Sequence, residues 1–338
     1  MGEARRRRIG LRLCLWGITY TAGLQGRGTP RANPDPITPS GLLELADRLA
    51  LAGVELSPAF IGRTGDSDAL EAFRRQAEGL GLAITLAGPR LDTPHLPEAM
   101  REAFEVAGLL GCRTVRTTLS GILCGDRSAI GGLDGWRRHL EAVADALKRI
   151  APMAEQRSIR VGIENHQDAT SQDLLWLCER VGSASVGVTF DTGNPLAVGE
   201  DVLAFARRVL PHVVNVHLKD YRMFAAPAGY RLVRCALGRG VVPFGEVLDL
   251  LAGAPDAAMS IELASLHDRY IRILEDDYWS GLGGRDVAAV LPVLRLWRHR
   301  EETGEFRTPW QRGQDDRLAA YEMEELTESV RFLRTLVS

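Results

Sequence analysis

The chain alternates between two hydrophobic rhythms. Short runs rich in Val, Ile and Leu recur at Ile9–Trp16, Gly53–Ser57, Ala83–Ala87, Thr114–Thr118, Arg160–Asn165, Val186–Asp191, Val213–Lys219 and Met259–Leu263. Between them apolar positions return at helical spacing. These stretches are Ser40–Leu51, Asp68–Leu80, Leu96–Leu110, Gly135–Gln156, a helix from Ser171 to about Gly182, Glu200–Leu210, Pro243–Ala252 and Asp286–Arg300. Gly81 and Gly111 supply C-terminal stop signals, and Pro243 suits a first helical turn. Strands alternating with helices predict βαβ units and a parallel sheet. Eight such pairs are what an α/β fold of the (β/α)8 TIM-barrel type requires. A doubly wound open sheet would carry a Gly-rich phosphate turn after its first strand, and WGITYTAGLQGRGTP has none.

The pattern divides the chain into a flexible basic tail (1–8), a barrel (9–303) and a C-terminal helical extension (304–338). Three long segments, Gly17–Pro39, Tyr221–Leu237 and His267–Gly284, fall after the first, seventh and eighth strands. In a barrel all three extend the C-terminal face, where active sites are built. In the extension, Leu318, Tyr321, Leu326, Val330 and Leu333 recur at helical spacing. They predict an extra helix that caps the barrel or joins a second copy in a homo-oligomer.

Composition narrows the class. Hydrophobic residues make up 45% and charged residues 25%, an ordinary globular balance. Lys and Arg number 41 against 44 Asp and Glu, a net charge of −3, which excludes a strongly basic nucleic-acid binder. Five cysteines, none in a C-x-x-C pair, argue against zinc knuckles and disulfide frameworks. Reduced thiols point to the cytoplasm. The absence of an 18-residue apolar run argues against a membrane span. Arg5–Arg8 leads into a first strand interrupted by Arg12, which is not a secretory pattern.

The chemistry collects at the ends of the late strands. VGIENHQD delivers Glu164, VGVTFDTGN delivers Asp191, VVNVHLKD delivers His217 and MSIEL delivers Glu262. Alternation places Val161 and Ile163 on one side of their strand and Glu164 on the other, and likewise separates Ile261 and Leu263 from Glu262. The apolar side packs on the outer helices, so the polar side faces the barrel axis. Three converging carboxylates repel unless a positive charge stands between them. A single divalent cation answers this, and mostly oxygen donors with one imidazole suit Mn²⁺, with Mg²⁺ or Co²⁺ also acceptable.

Further residues share the inward parity or lie nearby. His166 follows Glu164 by two and is a candidate base. Trp16 has the parity either to stack on a bound ring or to pack in the core, and Arg116 to hold a carboxylate. Lys219 and Arg222 follow His217 and are candidates for substrate contact. Tyr230, Arg234 and Tyr278 on the long loops are candidates for shaping the substrate site. Gly238-Arg239-Gly240 alone is weak evidence for phosphate binding and reads as a turn.

GIENH, FDTGN, HLKD, GRGVVPF and SIEL resemble the xylose-isomerase-like TIM-barrel superfamily of sugar isomerases and epimerases, which includes ketose 3-epimerases and an endonuclease branch. The resemblance is specific from Val161 to Leu263 and looser earlier, where it rests on strands such as GVEL with Glu55. It implies Glu164, Asp191, His217 and Glu262 as metal ligands, with the two glutamates flanking the substrate and shuttling a proton. Several members have D-x-x-H after the sixth strand, where this chain has Asn194, and the D-x-H of the endonuclease branch is missing after His217. One metal ion rather than a zinc cluster is therefore expected, and no nucleic-acid partner. HLKDYR followed by GYRLVRC is also similar to large subunits of bacterial C-glycoside-cleaving enzymes, which work with a small second subunit.

Removal of a proton beside a carbonyl leaves an enolate or ene-diolate that a cation stabilises. Carboxylates nearby take and return the proton. The first expectation is thus a metal-dependent sugar isomerase or epimerase, with Glu164 and Glu262 as acid and base. The second is a lyase that expels an aglycone from a 3-oxo-glycoside. The third is a barrel that binds a sugar or a partner without catalysis.

Overall fold

The computed structural model describes residues 9–62, 66–263 and 265–337. The basic tail expected at 1–8 lies outside the described residues. From the N-terminal side the elements are β1 (Ile9–Cys14), α1 (Pro39–Arg48), β2 (Leu51–Leu56), α2 (Pro58–Ile61), α3 (Ser67–Leu80), β3 (Ala83–Ala87), α4 (Leu96–Leu110), β4 (Thr114–Thr118) and α5 (Gly132–Gln156). Then come β5 (Arg160–Glu164), α6 (Ser171–Val181), β6 (Val186–Asp191), α7 (Val202–Val209), β7 (Val213–Leu218), β8 (Tyr221–Ala226), β9 (Gly229–Arg234), α8 (Phe244–Leu251) and β10 (Ala258–Ile261). The last are β11 (Arg269–Ile271), α9 (Asp276–Leu282), α10 (Val287–Arg300), β12 (Glu301–Glu302) and α11 (Leu318–Val337).

β1 to β7 and β10 close into a parallel eight-stranded barrel, with β10 pairing both β7 and β1. All eight strands expected from the sequence are present. The helices start where polar caps satisfy free N–H groups. Thr38, Asp66, Asp201 and Asp286 each accept from their own first turn, and Thr170 with Asp173 forms a capping box. Gly81, Gly111 and Gly182 end their helices in the left-handed conformation.

Which helix completes the outer ring differs from the expectation. Asp286–Arg300 reads as the eighth barrel helix, but α10 lies over the hairpin, with Trp297 against Tyr230, and buries only Val290 and Val293. α11 takes the place in the ring. Its Phe332 packs edge-on against Phe244 of α8, and Arg334 Nη2 donates to the Leu49 carbonyl at the end of α1. Leu326, Val330 and Leu333 join the main core. The stretch from 318 therefore contributes to the barrel wall.

The two late loops form a second sheet over the C-terminal face, in the order β11-β9-β8-β12. β8 and β9 make an antiparallel hairpin, β11 adds antiparallel to β9, and β12 adds parallel to β8. Among the described residues no helix is long and apolar enough to cross a membrane.

Candidate metal centre and its surroundings

Four strand ends bring the expected ligands together. Asp191 and His217 are register partners on β6 and β7, while Glu164 ends β5 and Glu262 follows β10. One donor atom from each of the four lies within 4.8 Å of the others, and all four residues are buried. Both Glu164 oxygens, Asp191 Oδ2 and His217 Nδ1 lack an aligned hydrogen bond. Buried acceptors that face charges without an aligned hydrogen bond are costly unless something completes them. Three carboxylates and one imidazole fit a divalent ion.

His217 is aimed by a residue that the sequence reading gave no role. Its Nε2 lies 2.8 Å from Glu55 Oε1, so the proton there donates to Glu55 and leaves Nδ1 to the site. Nδ1 is 2.8 Å from Glu262 Oε2 and 3.6 Å from Glu164 Oε1. Glu55 Oε2 accepts from Ser260 Oγ at 2.7 Å. Burial would raise the Glu55 carboxyl, but His217, Arg116 and Ser260 hold it at about 2. The available signal was parity: Glu55 is a buried acid between Val54 and Leu56. Glu55→Gln is expected to weaken divalent-ion binding by about 10- to 100-fold, the usual cost of losing an outer partner of a metal ligand. A Mn²⁺ titration measures this, and an unchanged affinity would remove Glu55 from the centre.

Two cations are built into the cluster. Lys219 Nζ lies 2.6 Å from Asp191 Oδ2 and 2.8 Å from Glu262 Oε1. Arg116 Nε lies 3.3 Å from Glu55 Oε1 and 3.5 Å from Glu164 Oε2, and its guanidinium sits 4.6 Å over the Trp16 ring. Burial opposes the charge on Lys219, but Asp191 and Glu262 push its pKa well above the ordinary lysine range. Burial would likewise raise Glu262, but Lys219 and His217 hold it well below the ordinary carboxylate range. Burial raises Asp191 to about 6, since the repulsion of Glu262 and Glu164 adds to desolvation while Lys219 opposes both. Burial alone would lower His217, yet Glu55, Glu262 and Glu164 raise it well above the usual value.

The other expected residues separate into two groups. His166 follows β5, with Nδ1 unbonded and its pKa lowered by burial, so its ring is uncharged. Asn194 is 1% exposed, and neither its amide oxygen nor its amide nitrogen has a partner among the described residues. Trp16 is half-buried beside Arg116. Arg222, by contrast, is ion-paired with Glu302 and stacked on Phe224 and Phe306. The reason is alternation on β8, which sets Arg222 on the face opposite Tyr221. Tyr230 and Tyr278 donate their hydroxyls to the Leu196 and Ala197 carbonyls, and Arg234 binds Glu325, so these three hold the lid rather than shape a substrate. Gly238 and Gly240 do form an anion cradle, but their N–H groups donate to Asp220 of the chain itself.

The sequence model of the xylose isomerase-like TIM barrel family matches residues 43–276. The chain belongs to that family. It is 26% identical over 208 residues to a 3-oxo-isoapionate decarboxylase of Pectobacterium atrosepticum, covering 61% of this chain and 66% of that protein. It is 27% identical over 128 residues to an inosose dehydratase of Bacillus anthracis, covering 34% of this chain and 43% of that one. The chain thus spans less than two thirds of either relative. A xylose isomerase-like TIM barrel protein from Mycobacterium smegmatis, solved in complex with magnesium, shares the fold with a TM-score of 0.58 at 16% identity, over 89% of this chain and 100% of that one. A D-psicose 3-epimerase solved with D-fructose shares the fold alone, with a TM-score of 0.53 at 18% identity, over 77% of this chain and 93% of that one.

Proposed function

We propose that this chain is a divalent-metal-dependent enzyme that removes a proton beside a carbonyl of a keto sugar or related polyol, giving isomerisation or epimerisation. One observation carries the reading, the charge of the buried cluster. Glu55, Glu164, Asp191 and Glu262 bring four negative charges against the two positive charges of Arg116 and Lys219, and all six residues are buried. The carboxylates favour a proton on His217, which a ligating imidazole would give up, and the remaining charge of −2 would then match one divalent ion. The donor set favours Mn²⁺, with Mg²⁺ and Co²⁺ as close alternatives. When bound, such an ion supplies positive charge where an ene-diolate develops.

The chain's own groups then divide the work. In ring order Glu164 and Glu262 stand at the two outer positions, with Asp191 and His217 between them. They flank a bound substrate from two sides, so one takes the proton and the other returns it. His166 is the neutral base beside them. Lys219 holds an ammonium against Asp191 and Glu262, where it can also donate to a substrate oxygen. Asn194 offers one donor and one acceptor to hydroxyl groups, and the Trp16 face offers a stacking surface.

The named relatives favour a second outcome of the same first step. A dehydratase removes the proton and then expels a group instead of returning the proton, and a lyase that releases the aglycone of a 3-oxo-glycoside, with a small second subunit, is of this kind. A decarboxylase reaches the same type of enolate by losing carbon dioxide and then protonates it. Elemental analysis is the first test. About one divalent ion per chain, lost in Glu164→Ala and Asp191→Ala, is expected, and a wild type that holds none after Mn²⁺ is offered would sink the reading. Turnover in heavy water separates the outcomes. Deuterium gained on an intact carbon skeleton marks an epimerase or isomerase, and a released group marks a lyase.

A further inference from the structure

The lid sheet has two unlike faces. Directly opposite residues of an antiparallel pair share a face. The pairings Tyr221↔Arg234, Met223↔Leu232 and Arg269↔Leu232 therefore set Tyr221, Met223, Leu232 and Arg269 on one side. Tyr221, Met223 and Leu232 are buried. Phe224 and Val233 on the opposite side are buried as well, while Tyr270 there is 56% exposed, so the faces are told apart by Tyr230, which shares the side of Tyr221 and donates its hydroxyl to the Leu196 carbonyl after β6. The first side faces the barrel. The Tyr221 ring closes over the centre, since a Cβ on Gly193 would come within 2.8 Å of it and 3.1 Å of Lys219 Cγ. The Tyr221 hydroxyl is 3.4 Å from Gln167 Nε2, and Gln167 Oε1 accepts from the Cys124 backbone N–H.

Arg269 is the odd cation of this lid. Its neighbours are paired, Arg222 with Glu302, Arg231 with Asp268 and Arg272 with Asp277. The half-buried Arg269 side chain has no hydrogen-bond or carboxylate partner among the described residues. Its charge reaches the two groups beneath it. Burial raises the Cys124 thiol, with Arg269 the largest opposing influence, and burial raises the Tyr221 hydroxyl to about 12 against Lys219 and Arg269. A partly desolvated guanidinium without a counter-charge is costly unless a ligand supplies one.

Resting on the reading above, we infer that Arg269 selects substrates bearing an anionic group, a carboxylate or a phosphate ester, at the end remote from Glu164 and Glu262. The inner cluster is balanced by one divalent ion, so Arg269 is left over as the positive charge that such a group meets.

Matched probes test this on the Mn²⁺-loaded chain: D-fructose, D-fructuronate and D-fructose 6-phosphate, which differ only at the sixth carbon. Calorimetry is expected to show one charged probe binding about tenfold or more tighter than fructose, the weight of a charge-assisted contact. Arg269→Met should erase that preference and Arg269→Lys should keep part of it. A preference for fructuronate names the carboxylate, and a preference for the 6-phosphate names the phosphate ester. Equal binding of all three, a preference that survives Arg269→Met, or no binding by a chain that still holds Mn²⁺ would overturn the inference and leave the metal reading standing. A chain that holds no Mn²⁺ removes the metal reading instead, and the inference with it. Melting supplies a check independent of substrate. An unpaired cation gives no stability, so a marked fall in Tm for Arg269→Met would assign it a structural role and overturn the proposal.

Discussion

Glu262→Gln is expected to lower turnover by about 10³-fold or more while leaving the barrel folded. The carboxylate has two tasks in the geometry. Its Oε1 meets Lys219 and its Oε2 meets His217 Nδ1, each at 2.8 Å. The amide removes one of the charges that a divalent ion neutralises, and it removes the proton carrier on that side of the substrate. Folding is spared because Lys219 keeps Asp191 at 2.6 Å and His217 keeps Glu55 at 2.8 Å. Glu164→Gln should behave similarly from the opposite side. Metal content measured beside turnover tells the tasks apart. Lost activity with retained metal assigns Glu262 to proton transfer, and parallel loss of both assigns it to ligation. Turnover by both variants at the wild-type rate would end the acid–base assignment.

Asp220→Ala is expected to be the most destabilising single change near the centre, by about 3–5 kcal/mol. The buried carboxylate accepts four backbone N–H groups, from Tyr221 at 2.9 Å, Gly238 at 3.0 Å, Gly240 at 2.9 Å and Val242 at 3.0 Å. It ties the start of the lid hairpin to the segment that leads into α8. A Cβ at Gly240 would lie 2.3 Å from Asp220 Oδ1, so the close wrap requires glycine there. Alanine leaves four donors without an acceptor in a space too tight for good solvation. Urea denaturation with the midpoint and slope compared to wild type measures the loss. A midpoint within experimental error of wild type would mean that the segment is held by other contacts.

The convergence of Glu164, Asp191, His217 and Glu262 was legible because period-two alternation fixes which side of a strand faces the axis. Glu164 and Glu262 each stand next to residues of the opposite parity that pack outward. Glu55 obeyed the same rule, but one acid in an early strand has no visible partner until the barrel brings His217 beside it. The lid was not legible. YRMFAA and GYRLVR do alternate, yet a barrel already supplied with eight strands gives no sequence reason for four more. The exchange of α10 for α11 has a similar cause. Helical spacing marks both segments, but only the packed chain shows that one seats Leu326, Val330 and Leu333 in the core while the other buries two valines. Arg222 was misplaced because proximity in sequence to His217 says nothing about which face of β8 it takes.

The late position of α11 bears on how the chain matures during synthesis. The last barrel strand is complete at Ile261, but the helix that covers the seam between α8 and α1 begins only at Leu318. At roughly 5–20 residues per second a ribosome needs several seconds to make the intervening stretch. Throughout that interval a nascent barrel exposes the apolar strip that Leu326, Val330 and Leu333 later cover, beside carboxylates that are already converging. The seam is then open to aggregation or chaperone capture, and release of a nascent chain short of α11 would leave all eight strands in place with one outer helix missing.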